Sequence, residues 1–269
     1  MNGFKYMNKS TETILNTKLV LASYNSVDSV VGSTRESLKG ERTYYRPIAN
    51  EYGTMYSDNL TIEYSLLKCN DKPFTYEEQR IIERWLTSPE LSQWLEFYDD
   101  IETVKYFGKF IETEWVICHG GYSGVNFKFE TNAPYPWKEE KHVFNLSGER
   151  THEIVFSCET DELEKPIYPV IKLTTSSTTT ITIINNTDNE NKAVIKMYDS
   201  LPLVIDCRNM IIKDATTSGI VNYKDLGWDV LENIYWFKIF SGNNIWTIDG
   251  EVNIEIIYNS VYKKVGGWL

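Results

Sequence analysis

Apolar and polar residues alternate over Leu60-Thr61-Ile62-Glu63-Tyr64-Ser65-Leu66. That pattern predicts a strand with one face buried and one wet. The period then changes. Ile81, Ile82, Trp85 and Leu86 follow at three- and four-residue spacing, the stripe of a short amphipathic helix lying on a sheet. Thr75-Tyr76-Glu77-Glu78 precedes the stripe and reads as a capping box. The Thr75 side chain accepts from the Glu78 amide, and the Glu78 carboxylate reaches back to the Thr75 amide. Ser88-Pro89 stops the helix, because the residue before a proline avoids the helical region.

Elsewhere the texture is that of strands. Phe4, Tyr6 and Leu19 to Leu21 seed short ones, and polar, Gly-containing Ser29 to Gly40 reads as a loop. Trp94 to Tyr98 and Val104 to Phe110 are strand candidates on either side of a turn-like Asp99-Asp100. Val125, Phe127 and Phe129 alternate with Asn126, Lys128 and Glu130, after a flexible turn at Gly120-Gly121-Tyr122-Ser123-Gly124. Ala133-Pro134-Tyr135-Pro136-Trp137 and the charged run Lys138-Glu139-Glu140-Lys141 mark a domain boundary. Beyond it come Ile167 to Leu173, Thr178 to Ile184, Leu203 to Ile205 and an apolar strand Ile234 to Phe240. Ser241-Gly242-Asn243-Asn244 is a hairpin turn to a return strand, Ile245 to Ile248. Asp249-Gly250 is a second tight turn, and Val252, Ile254, Ile256 and Tyr258 alternate after it. Short strands at this spacing predict a β-sandwich. The chain therefore reads as mainly β, with residues 1–137 and 138–258 as two domains. Val265, Trp268 and Leu269 are too apolar for a free tail, so residues 259–269 are expected to pack back on the first domain.

Composition sharpens this. A chain of 269 residues with 14% aromatics suits strands and large contact surfaces. The net charge is -11, and both halves are acidic. Nucleic-acid binding needs clustered cations to displace counterions, so no DNA-binding role is expected. A run of about 18 apolar residues would be needed to span a membrane, and the chain has none. Met1-Asn2-Gly3-Phe4-Lys5 opens no signal-peptide h-region.

Candidate chemistry is sparse. Cys69, Cys118, Cys158 and Cys207 form no CxxC pair, which speaks against zinc and for free buried thiols. His142 and His152 lie near Glu139, Glu140 and Glu153, a combination that a hydrolase or metal site could use, but surface polar residues explain it as well. Cys118-His119 are adjacent, and adjacent side chains on a strand face opposite ways. The glycines at 120–124 lack phosphate-loop spacing. Asp99-Asp100 is a turn before it is a cation site. No catalytic, metal or cofactor residue is selected, and no enzyme activity is expected.

Four stretches in order carry a resemblance: Arg46-Pro47 ahead of the 60–66 strand; Ile82-Glu83-Arg84-Trp85-Leu86; Leu95-Glu96-Phe97-Tyr98-Asp99-Asp100 with Lys105-Tyr106-Phe107-Gly108; and Val125 to Glu130 running into Ala133-Pro134-Tyr135. Together they resemble the N-terminal domain of phage distal tail proteins. Ile205-Asp206-Cys207 and Trp236-Phe237-Lys238-Ile239 with Ser241 to Ile245 are similar to that family's galectin-like C-terminal domain. Gly40-Glu41-Arg42 stands where the family often has Gly-Arg, and residues 8–40 match only loosely.

The resemblance implies a barrel-like or sandwich tail-tube-type domain with one short α-helix, followed by a galectin-like sandwich. It implies a structural tail-tip protein, in a hexameric ring joining the tail tube to the tip or baseplate, with DNA passing through. Tail-associated hub proteins and receptor-binding proteins would dock on it in the virion. The sugar-binding His-x-Asn-x-Arg and Trp-Gly-x-Glu elements of galectins are missing, since Trp228 precedes Asp229. The alternative is a carbohydrate-binding module with Trp228 or Trp246 as its exposed platform. A cell-wall hydrolase would need a carboxylate pair or a Zn²⁺ site, and no residues are singled out for either.

Overall fold

The computed structural model describes residues 3–22, 35–42, 45, 48–56, 59–70, 72–98, 104–118, 120–148, 150–198, 201–220, 231–233 and 235–263. The chain divides into two compact units: Met1–Trp137 with Tyr262–Leu269, and Lys138–Val261. Arg46-Pro47, Asp99-Asp100, His119, Trp228 and the last six residues lie outside the described set.

The first unit is built from β1 (Phe4–Tyr6), β2 (Lys9–Ser10), β3 (Leu19–Ala22), β4 (Arg35–Lys39), β5 (Glu51–Tyr56), β6 (Thr61–Lys68), α1 (Tyr76–Thr87), β7 (Gln93–Phe97), β8 (Val104–Cys118) and β9 (Gly121–Thr131). Its main sheet runs β2-β1-β7-β8-β9-β6-β3, with antiparallel pairings throughout. The sheet curls. Phe4 on β1 meets Phe127 on β9 at 5.5 Å between ring centroids, and Tyr64 on β6 meets Phe97 on β7 at 5.7 Å. Neither pair comes from neighbouring strands, so the alternating apolar rows must face a shared, barrel-like interior. Gly108 sits where β8 is pinched against β9. A Cβ there would lie 2.2 Å from the Glu130 carbonyl oxygen.

α1 lies over this interior. Both halves of the Thr75–Glu78 capping box form. Glu78 also takes Lys68 Nζ at 2.7 Å. Burial alone would raise the Glu78 pKa, but the Lys68 ammonium and the Thr75 amide hold it below the usual range. Ile82, Trp85 and Leu86 are buried, and Trp85 stacks on Phe4 at 5.2 Å. Ile81, expected on the same stripe, is exposed, because it falls on the flank of the buried arc.

Two local expectations fail in this unit. Residues Arg35–Lys39 form β4 rather than a loop, paired with β5. Apart from half-buried Tyr56, the described side chains of this hairpin are exposed on both faces, so no apolar alternation announces it. The glycine-rich turn shrinks to the region of Gly120. Gly121 to Gly124 belong to β9, and β8 runs on past Phe110 to Cys118. The Phe74 amide bonding the Tyr122 carbonyl at 2.7 Å helps hold the start of β9 in place.

The second unit contains β10 (Trp137–Leu146), β11 (Thr151–Cys158), β12 (Val170–Thr174), β13 (Thr179–Asn185), β14 (Asn191–Met197), β15 (Leu203–Asp206), β16 (Ile211–Asp214), β17 (Leu231–Asn233), β18 (Gly242–Asp249) and β19 (Val252–Val261). They form two sheets, β16-β15-β12-β19-β10 and β11-β18-β13-β14-β17. One core cluster takes residues from both, including Ile154, Ile171, Ile183, Ile195, Trp246 and Ile254. This is a two-layer antiparallel sandwich. The charged run at 138–141 lies within β10, with Lys141 paired to Glu255 at 2.9 Å. Residues 259–261 continue β19, while Tyr262 packs against the core of the first unit.

Of the expected strand Ile234 to Phe240, the described residues 235–240 form no strand. Phe237 and Ile239 are fully buried, yet the segment makes only an isolated bridge between Ile239 and Ile167. Two buried asparagines hold it instead. Asn185 Nδ2 donates to the Lys238 carbonyl at 2.8 Å. Asn244 Oδ1 accepts from the Phe240 amide at 2.9 Å, and its Nδ2 donates to the Phe240 carbonyl at 2.7 Å. Residues 242–244 therefore open β18 and make no hairpin turn, and β18 pairs with β11 and β13. Replacing Asn244 with Ala leaves both Phe240 groups without these bonds. The expected loss is about 2–6 kcal/mol, from two partly buried groups left unpaired at about 1–3 kcal/mol each. Chemical denaturation checks it, with Asn244→Asp recovering only the accepting half.

Candidate functional site

The structure brings some of the chemically suggestive residues together. His142 on β10 stacks on Tyr258 of β19, with ring centroids 5.7 Å apart, and its Nε2 lies 3.1 Å from the Tyr258 hydroxyl. That hydroxyl donates to Glu140 Oε2 at 2.7 Å, so the imidazole must be the donor to it. Glu140 Oε1 accepts from Ser260 Oγ at 2.8 Å. Burial first, and the Glu140 bond second, push the Tyr258 pKa well up. Cys158 adjoins this group. Burial, reinforced by the Glu140 charge, raises its thiol to about 11. The thiol is thus protonated at neutral pH and is no nucleophile, and both Glu140 oxygens are already engaged. The cluster ties β10 to β19.

His152 lies on β11, in the other sheet from His142, and its Nε2 is buried without a hydrogen-bond partner. Glu153 beside it is exposed. Among the described residues no three His, Cys, Asp or Glu side chains gather as metal ligands, and no helix is long and apolar enough to cross a membrane. The cysteines divide. Cys158 and Cys207 are buried, but Cys69 is exposed, because it follows β6 in a turn rather than facing the core. Burial raises Cys207 to about 12. Trp246 is fully buried, packed against Phe156 and Phe237. It cannot be a sugar platform, since its place on β18 faces the sandwich core.

The surfaces offer more than the interior. The β4–β5 hairpin carries Tyr52 at 68% exposure, and Tyr45 and Ile48 between its strands reach 93% and 81%. Such large exposed apolar side chains mark contact surfaces. On α1, Glu77, Arg80, Ile81, Arg84 and Trp85 combine with Lys9 of β2 to line an open cleft of about 320 Å³. Sequence reasoning missed both. The spacing of 77, 80, 81 and 84 was readable as one helix stripe, but Lys9 joins it only through the fold.

Two family models divide almost the whole chain between them. Residues 1–133 match the phage tail protein N-terminal domain, and residues 135–258 match the phage tail C-terminal domain. The chain belongs to this family of phage tail proteins. No curated protein is similar enough in sequence to count as a relative. Among solved structures, the tail protein is similar to SPP1 Dit, described as a paradigm of hub adsorption apparatus in Gram-positive infecting phages. The TM-score is 0.57 at 11% identity, covering 97% of this chain and 98% of that one. A chain of the phage p2 baseplate in its activated conformation with Ca gives 0.54 at 10% identity, covering 95% and 97%. The corresponding structure with Sr gives 0.55 at 11% identity, with the same coverage. These likenesses extend over both units and concern the fold.

The environment of the thiols makes a prediction. In the native tail protein at neutral pH, maleimide labels Cys69 rapidly and leaves Cys158 and Cys207 unmodified until denaturant is added. Peptide mapping by mass spectrometry reads each site separately.

Proposed function

We propose that this tail protein is the distal tail, or hub, component of its phage. Copies of it form a ring, of six members, at the end of the tail tube. The first unit builds the ring, and the second presents a docking surface for tail-associated and receptor-binding proteins of the tip. DNA passes through the ring. The protein works as scaffold rather than enzyme.

One observation carries this reading. The likeness to SPP1 Dit runs through nearly the full length of both chains, so the two units follow one another as they do in a protein described as an adsorption hub. Fold alone does not assign function, and the physics of the chain supports the reading independently. A closed ring needs two different complementary faces on each subunit, and large exposed apolar residues at Tyr45, Ile48 and Tyr52 provide contact area in the first unit. Excess acid in both halves suits a passage that must not grip phosphates.

The carbohydrate-binding alternative has lost Trp246 to the core. Light scattering and negative-stain imaging test the ring. The expected particle has a central hole and six times the chain mass of 31.3 kDa. A monomer at every concentration, both alone and mixed with the tube protein of the same phage, sinks the reading.

A further inference from the structure

The tail protein has 38 acidic residues against 27 lysines and arginines, so a local surplus of cations is conspicuous. One lies along α1. Glu77, Arg80, Ile81 and Arg84 fall at i, i+3, i+4 and i+7, one stripe of the helix. Lys9 faces the stripe, and Trp85 completes the cleft. Three cations there meet a single carboxylate, with Ile81 exposed among them.

The cleft is built by the fold. The Trp85 indole N–H donates to the Tyr6 carbonyl at 3.0 Å, which fixes the β1–β2 turn against the helix and sets Lys9 over it. Met7 and Asn8 in that turn hold φ at 50° and 60°. Asn tolerates the left-handed region, but Met has no side-chain compensation for it. Strain of this kind gathers at functional surfaces.

The strand beside α1 carries the opposite character. Glu83 Oε1 accepts from the Trp115 indole at 2.7 Å, which places β8 against the helix. Glu112 and Glu114 of β8 are exposed, as are Ile111 and Ile117. Lys128, the cross-strand neighbour of Glu112, is engaged by Glu63 at 3.2 Å. Glu112 and Glu114 alternate with Thr113 and Trp115, so the two carboxylates share the face of β8 turned away from Trp115 and form an acidic ridge.

We propose that the Glu112–Glu114 ridge of one copy seats in the Lys9–Arg80–Arg84 cleft of the next copy. This rests on the ring reading above and names the contact that closes the ring. The charges match: carboxylates meet guanidinium groups, which bind them in bidentate fashion. The two surfaces are different, one beside α1 and the other on the face of β8 turned away from Trp115. The contact is therefore heterologous and can repeat from copy to copy, where a two-fold contact would stop at a dimer. Two chains each carrying -11 repel at long range, so a local pairing of opposite charges also selects the register.

Three full-length variants test it: Arg80→Glu with Arg84→Glu, Glu112→Arg with Glu114→Arg, and all four changes together. Circular dichroism and thermal melting establish that each folds, and light scattering reads assembly. Each double variant is expected to need at least about tenfold more protein to form rings, the scale of coupling between charges across an interface. The fourfold variant, with the charges exchanged, restores assembly. Rings that form normally in both double variants overturn the proposal and leave the ring reading standing. So does a fourfold variant that assembles no better than the doubles. A wild-type chain that forms no ring, alone or with its tube protein, overturns the ring reading and this contact with it, before any variant is compared.

Discussion

A protein built almost entirely of strands must bond every buried backbone N–H and C=O, including those where the ladders stop. This chain meets that demand with a small set of buried hydroxyls and amides. Thr11 Oγ1 accepts from the Phe4 amide. Thr131 Oγ1 accepts from the Leu60 amide at 2.8 Å and donates to the Ala133 carbonyl at 2.6 Å. Thr160 Oγ1 accepts from the Val261 amide, and Asn185 and Asn244 hold the 235–240 segment. These side chains stand at strand ends, where they bond backbone groups that the ladders leave over in the curled sheet of one unit and in the two-layer sandwich of the other.

That constraint also explains what could be read from the sequence. Strands with one buried and one wet face announce themselves, as Leu60 to Leu66, Val125 to Glu130 and Val252 to Tyr258 do. The capping box at Thr75 and Glu78 was legible because all its parts are local. The 234–240 segment misled, because its apolar residues are those of a strand while its bonding comes from side chains that follow no period. The β4–β5 hairpin was silent for the opposite reason, since exposure on both faces removes the alternation. The absence of CxxC spacing was readable. The burial that keeps Cys158 protonated, and the link from His142 through Tyr258 to Glu140, depend on strands far apart in the chain.

The same division holds for surfaces. A helix stripe of mixed charge is visible in sequence, but its meaning depends on the neighbour the fold supplies. Beside Lys9 the stripe becomes a cationic cleft. Against the helix, Trp115 anchors a strand that presents carboxylates. Surfaces of opposite charge thus sit on α1 and on β8 within a single small unit.

The asymmetry of the sandwich has a consequence for how the chain is made. β18 lies between β11 and β13 in one sheet, and β19 lies between β12 and β10 in the other. Only Gly250, at φ 119°, and Glu251 separate them. The last two strands of the sandwich to leave the ribosome thus occupy central places in both layers. Until they emerge, β11 and β12 each lack a flanking partner and expose apolar rows and open ladders, the condition in which strands join the wrong neighbour. Closing both layers is one late event, set by a corner two residues long, and a nascent tail protein halted before Gly242 is a template for aggregation rather than a half-built sandwich.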